Sequence, residues 1–191
     1  MSALLPGFAD PVLDAQSCFR ALLESMARPG RVQILARAPA PPAPICPAAG
    51  AVMLALTDAE TPVWTDAGED AAAWLRFHAG CPVVGDPGAA AFVLATGTPP
   101  PLAALDAGTD EDPHTSATLV IAVAALEEGV GWRLSGPGIE TEHRLRVVGA
   151  PEGFIAAWDA NRAGFPRGVD VILCAGDRIA GLPRTTTVRE G

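Results

Sequence analysis

The segment 118–124 is apolar on both faces of the strand that its pattern predicts, which is typical of a strand buried inside a sheet. Other strand patterns alternate along the chain with helical patterns at 14–27, 47–57, 69–79 and 152–163. Alternating helices and strands favour layers of the two element types packed on one core. The sequence therefore predicts an α/β fold.

Hairpin-like spacings near 134–142 and 174–179 indicate that the sheet is mixed and not purely parallel. The remaining strands are predicted at 32–36, 62–64, 81–84, 91–95, 132–134, 141–148, 169–174 and 178–182. In the first helix the apolar face is predicted to be Phe19, Leu22, Leu23 and Met26. No change in composition divides the chain, so one domain is expected over 1–191.

The charged residues restrict the chemistry of the chain. Its net charge is −9, which argues against a broad basic face for nucleic acid. All 13 basic residues are arginines. Without lysine the chain can form no Schiff base and can supply no phosphate-loop lysine.

Four widely spaced cysteines and no C-x-x-C pair indicate reduced, mostly buried thiols in a cytoplasmic protein. The amino-terminal residues have no basic region, and their apolar stretch is too short for a signal peptide. The longest apolar run, 117–126, is about half the length of a membrane span. We therefore expect neither a signal peptide nor a membrane segment.

Two similar phrases near the carboxyl terminus, 165–170 and 182–187, each contain Pro-Arg. An arginine after a stiff proline suits bidentate contact with a carboxylate or phosphate. Thr185 and Thr186 add hydroxyl groups to the second phrase. The phrases predict either an anion-contacting edge or structural ion pairs such as Arg167 with Asp170.

Other polar groups give weaker indications. His78, beside Arg76 near the end of a predicted helix, suits either phosphate contact and proton transfer or a bond to the last helix carbonyls. The acidic segment 110–114 has no ordered spacing of metal ligands. In 140–143 the carboxylates of Glu140 and Glu142 lie on one face of a strand and His143 on the other, so this segment is only a weak metal or acid/base candidate. We expect no metal site, and no nucleophile–base set can be assembled.

Taken together, the motifs resemble the H subunit of the bacterial carbon–phosphorus lyase core complex, the PhnH family. The resemblance runs over nearly the full chain, except for 38–47 and 96–116. It rests on phrases in 8–30, 54–64, 75–78, 117–119, 134–139, 165–170 and 179–188, including Thr61-Pro62-Val63-Trp64, Leu75-Arg76-Phe77-His78, Gly136-Pro137-Gly138 and Pro183-Arg184-Thr185-Thr186.

The resemblance implies a three-layer αβα fold with a mixed sheet, like the large domain of pyridoxal-phosphate-dependent transferases but without the cofactor. It implies a homodimer in isolation and assembly with G, I and J subunits. That complex couples methylphosphonate to the ribose of ATP, with loss of adenine, to give ribose 1-methylphosphonate 5-triphosphate. The family has no established catalytic residues in this subunit.

Three hypotheses follow. In the first, the chain is a subunit of that synthase, and Arg76, His78, Arg184, Thr185 and Thr186 line a pocket for phosphonate or nucleotide. In the second, the arginines only pair with acids of this chain or of a partner subunit. In the third, the chain is a stand-alone nucleotide or phosphoester hydrolase that uses His78.

Overall fold

The computed structural model describes residues 5–191 and contains four α-helices among them. The helices are α1 (Pro11–Ala27), α2 (Pro47–Leu56), α3 (Glu69–Ala79) and α4 (Phe154–Ala163). All four lie close to the predicted ranges. Asp10 caps α1 by accepting the backbone N–H groups of Val12 and Leu13, and Gly80 ends α3 in the left-handed region.

A six-stranded mixed sheet forms the centre of the molecule. Its order is β1 (Gln33–Ile34), β8 (Arg178–Leu182), β7 (Asp170–Ala175), β4 (Thr118–Ala122), β3 (Phe92–Ala95) and β2 (Val63–Thr65). The neighbouring strands β2, β3, β4 and β7 are parallel to one another. By contrast, β8 runs antiparallel to β7, and β1 runs antiparallel to β8. The predicted α/β class and the mixed sheet are confirmed. The predicted strand at 81–84 is wrong, since only the bridge from Val83 to Val63 forms there.

A second sheet, which the sequence did not predict as such, has the order β6 (His143–Val148), β5 (Ala125–Ser135) and β9 (Thr187–Arg189). All its pairings are antiparallel, with an irregularity between Glu128 and Trp132. Only 132–134 of β5 was predicted, because the exposed residues 127–130 carry two glutamates and a glycine and show no apolar alternation.

The two faces of the central sheet belong to two different cores, as the alternation along β4 shows. Val120 packs with residues of α1, α2 and α3, whereas its neighbours Leu119 and Ile121 pack with residues of α4 and the second sheet. The predicted αβα layering therefore needs a correction. The helices α1, α2 and α3, with residues of the segment 35–46, cover one face, while α4 and the three strands of the second sheet pack on the other.

The face that α1 turns to the core also differs from the prediction. The buried residues are Asp14, Cys18, Leu22 and Ser25, while Phe19 and Leu23 are 45% and 55% exposed. Burial of the polar residues is tolerated because they are hydrogen-bonded. The Ser25 hydroxyl donates to the carbonyl of Leu22, and the Asp14 carboxylate accepts the backbone N–H of Asp10.

The four cysteines are free thiols, as expected, and three of them are buried. Burial raises the pKa of the Cys18 thiol to about 12, so it stays protonated at neutral pH. In the described part of the chain no helix combines the length and the apolar character that crossing a membrane requires.

Candidate functional site

Arg184 lies just after β8, at the edge of the sheet where the parallel strands begin. Its side chain contacts two other segments there, 113–116 and 166–170. Its Nε donates to Oδ1 of Asp170 at 3.2 Å, and one terminal nitrogen donates to Oδ2 at 2.6 Å. That nitrogen also donates to the Ser116 hydroxyl at 2.7 Å. The other terminal nitrogen donates to the carbonyls of Pro113 at 2.9 Å and Pro166 at 3.4 Å.

These contacts engage the whole guanidinium group. An arginine side chain has five N–H donors, and the five contacts above match that number. The side chains of Arg184 and Asp170 are only 14% and 21% exposed. The backbone N–H of Arg184 also donates to Asp170, at 2.7 Å. In this conformation Arg184 has no donor left for an external anion.

Arg167, in the other phrase, forms an ion pair as predicted, but with a different partner. Its Nε lies 3.1 Å from the carboxylate of Asp110, and both side chains are more than half exposed. The predicted pairing of Arg167 with Asp170 is wrong because Arg184 occupies both oxygens of that carboxylate.

The two threonines after Arg184 differ in burial. Thr185 is half-buried, whereas Thr186 is fully buried. The Thr186 carbonyl accepts the indole N–H of Trp158 at 2.8 Å, and its backbone N–H donates to the carbonyl of Pro183. Its hydroxyl, also buried, has no partner among residues 5–191. Thr186 therefore faces the interior and not an open surface.

Arg76 and His78 lie on the last turns of α3, apart from the Arg184 group. Arg76 contacts Glu69 at 2.7 Å. Nε2 of His78 lies 2.9 Å from the carbonyl oxygen of Leu5, which also accepts the indole N–H of Trp74. Within the described chain no hydrogen bond or ion pair joins these two residues to Arg184, Thr185 or Thr186. The five predicted residues thus form two groups, and anion binding by them stays a prediction.

The weaker candidates each contact other groups of this chain. His114 lies 3.9 Å from Asp112, while Nδ1 of His143 lies 2.7 Å from the carbonyl oxygen of Pro29. Glu142 contacts Arg144 at 3.0 Å. In residues 5–191 no three or more His, Cys, Asp or Glu side chains gather in a way that could hold a metal ion.

A cavity of about 540 Å³, which the sequence did not predict, lies at the carboxyl ends of β3 and β4. Gly97 and Thr98 line one side, and Ile121, Glu152 and Phe154 line others. Open α/β sheets commonly bind ligands at this edge. The lining contains no arginine, so this cavity and the Arg184 group are separate features. Its walls come from segments far apart in the chain, which no local pattern relates.

Comparison with known proteins identifies the family. A family model described as bacterial phosphonate metabolism protein (PhnH) matches residues 6–189. The chain belongs to the PhnH family. A Rhizobium meliloti (strain 1021) protein named alpha-D-ribose 1-methylphosphonate 5-triphosphate synthase subunit PhnH is 44% identical over 184 residues, 94% of this chain and 92% of that protein.

A second relative matches a shorter part of this PhnH-family chain. It is a putative C-P lyase subunit protein, HtxG, from Stutzerimonas stutzeri. The two are 43% identical over 100 residues, which is 52% of this chain and 51% of the relative. The Arg184 phrase and the α3 phrase both fall within the residues that the PhnH model matches.

Proposed function

We propose that this chain is a subunit of an alpha-D-ribose 1-methylphosphonate 5-triphosphate synthase, within a carbon–phosphorus lyase complex that degrades alkylphosphonates. The observation that carries the proposal is the 44% identity to a subunit of that name, spread over nearly the whole of both proteins. The reaction couples methylphosphonate to the ribose of ATP, with loss of adenine. The chain takes part as a subunit and does not catalyse the reaction alone.

The absence of autonomous catalysis is supported by the surroundings of the candidate residues. Arg184 directs its guanidinium donors at acceptors of its own chain. His78 has no hydrogen bond to a serine, threonine or cysteine among the described residues. Since no nucleophile lies against this imidazole, no specific observation favours the hydrolase alternative.

The resemblance to the large domain of pyridoxal-phosphate-dependent transferases is part of the proposal. The block of four parallel strands is compatible with it. The residues do not fit the cofactor, however, because pyridoxal phosphate needs a lysine for its Schiff base and the sequence contains none. We therefore assign no step of the reaction to pyridoxal phosphate.

The proposed partners are the G, I and J subunits of the complex, and the isolated chain is proposed to form a homodimer. Support for assembly comes from the names of both relatives, each of which is called a subunit. A cytoplasmic location is supported by the four free thiols, which suit a reducing compartment.

For the anion site we propose different roles for the two groups of residues. Arg184, Thr185 and Thr186 stabilise the edge of the sheet. This role is favoured because the donors of the Arg184 guanidinium are engaged within the chain and Thr186 is buried. Arg76 is the member available to a phosphonate or nucleotide, with His78 beside it already 2.9 Å from the carbonyl oxygen of Leu5 through Nε2. Arg76 is about half exposed, and its pair with Glu69 is open to solvent, so a stronger anion can replace that carboxylate.

A complementation experiment tests the function. In a bacterium lacking its own H subunit, this chain is expected to restore growth on methylphosphonate as the sole phosphorus source. Growth on inorganic phosphate with and without the chain is the control. Failure to grow on methylphosphonate, with the chain expressed and folded, would contradict the proposed function.

A further inference from the structure

A cavity lies between the segment that leads into α1 and the segment that follows β1. Its volume is about 550 Å³. Residues of the segments 6–10 and 37–40 line it, together with Asp14 of α1. We call it the α1 cavity. None of the five residues predicted for the anion site belongs to this lining, so the α1 cavity is a separate feature.

Both walls of the α1 cavity are held by packing outside it. The Leu5 carbonyl accepts the indole N–H of Trp74 at 2.9 Å and lies 2.9 Å from Nε2 of His78. A Cβ atom on Gly7 would lie 2.8 Å from Nδ1 of His78, so this wall packs closely against α3. On the other wall Pro39 is buried. The cavity is therefore formed in the absence of a ligand, which lowers the ordering cost of binding.

Asp14 places a carboxylate in the lining of this cavity. The residue is only 3% exposed. Its Oδ2 accepts the backbone N–H of Asp10 at 2.9 Å. Its Oδ1 lies 3.5 Å from a terminal nitrogen of Arg37, which is long for a hydrogen bond between charged groups. Because a buried carboxylate is costly unless it is well paired, the charge on Oδ1 is incompletely compensated.

The guanidinium of Arg37 is poorly suited to this carboxylate. Its side chain is 66% exposed, and it meets Oδ1 alone, whereas an arginine fork gains most by engaging both oxygens. An ammonium group is a compact charge with three N–H donors, and it needs only one oxygen. No side chain of this protein supplies such a group, because the sequence contains no lysine.

The rest of the lining suits a hydrocarbon chain. Apart from Asp10, Asp14 and Arg37, the residues that line the cavity are prolines, alanines and a glycine. Asp10 uses Oδ1 to accept the N–H groups of Val12 and Leu13, and its Oδ2 accepts no hydrogen bond from residues 5–191. A bare metal ion fits less well, since no three metal-ligating side chains gather in the described chain.

We propose that the α1 cavity binds a small primary alkylamine in its protonated form. The ammonium group takes the place of Arg37 at Oδ1 of Asp14, and the alkyl chain lies against the prolines and alanines of the lining. Arg37 then moves into the solvent to which it is already largely exposed. The ligand is not a reactant of the proposed synthase, so this inference does not depend on the proposed function.

The test is isothermal titration calorimetry of the purified full chain with n-butylammonium chloride at constant ionic strength. Asp14→Asn is expected to weaken binding at least about 10-fold, because it removes the buried charge and keeps an oxygen for the Asp10 N–H. Asp177→Asn is the matched control. It makes the same charge change at an exposed aspartate and should bind like the wild type.

Arg37→Ala tests the exchange of the two cations directly. Because it removes the competitor for Asp14, it should strengthen binding of n-butylammonium about threefold. Arg144→Ala removes the same charge from an exposed ion pair on β6 and should leave the affinity unchanged. An equal gain in both variants would show a general attraction to a chain of net charge −9 and would overturn the inference.

Two further ligands separate the charge from the N–H donors. Tetramethylammonium has no N–H donor and 1-butanol has no charge, so neither should bind measurably. The inference is overturned if either binds as well as n-butylammonium, or if Asp14→Asn binds n-butylammonium like the wild type. It is also overturned if neither the wild type nor Arg37→Ala binds n-butylammonium, even where a lysine-containing peptide binds instead. Thermal unfolding checks that each variant is folded, and Arg37→Ala carries the test if Asp14→Asn does not fold.

Discussion

We expect Arg184→Ala to lower the free energy of unfolding by about 3 kcal/mol, because it removes one member of a shielded, hydrogen-bonded ion pair. The truncation leaves the Asp170 carboxylate without its bidentate partner and removes the donor to the Ser116 hydroxyl. The carbonyls of Pro113 and Pro166 also lose their contacts with the guanidinium. Chemical denaturation of the purified chain measures the change.

Arg167→Ala is the matched control, since Arg167 follows a proline in the same way but pairs with Asp110 at an exposed position. It should change stability by no more than about 0.5 kcal/mol. Arg184→Lys should recover only part of the loss, because an ammonium group lacks the planar fork. If Arg184→Ala keeps wild-type stability but abolishes growth on methylphosphonate, the structural role is wrong and the anion-site prediction is favoured.

The second large effect is expected at Trp158, which is fully buried between α4 and the second sheet. Its ring stacks on Phe154 with centroids 5.9 Å apart, and its indole N–H donates to the carbonyl of Thr186. Trp158→Ala should lower the free energy of unfolding by about 4 kcal/mol through the cavity it leaves. Loss of the indole donor also leaves the Thr186 carbonyl without this partner.

Trp132 provides the comparison for Trp158. It stacks on Phe154 with centroids 5.3 Å apart but is only partly buried. Trp132→Ala should therefore cost roughly 2 kcal/mol, less than the change at Trp158. Urea denaturation measures the free energy of unfolding of both variants. An equal loss for the two would contradict the view that the buried Trp158 side chain links α4 to β9.

The sequence predicted the helices well because their signals are local. The helical patterns at 14–27, 47–57, 69–79 and 152–163 were read from the residues of each helix itself. The sequence did not predict correctly which side of α1 faces the core. Periodicity favoured an inward Phe19, whereas the structure buries Ser25, whose hydroxyl bonds within the helix. Periodicity alone cannot show which side of a helix meets a glycine on a distant strand, here Gly181 of β8.

The second sheet and the site were predictable only in part, for the same reason. Residues 127–130 of β5 are exposed and lack strand alternation, so pairing with the distant strand β6, at Glu127 and Glu128, determines that this part of β5 is extended. The Arg184 phrase was recognised as important, but its contacts come from Ser116 and Pro113, 68 and 71 residues away. Local sequence gives the chemistry of such a side chain and not its distant partners.

The measurement that tests the central claim most directly is co-expression of this chain with the candidate G, I and J subunits, followed by size-exclusion chromatography. Membership of the synthase complex predicts one particle in which all four chains co-elute in fixed stoichiometry. Elution of this chain by itself, while the other three subunits form a complex without it, would contradict the account.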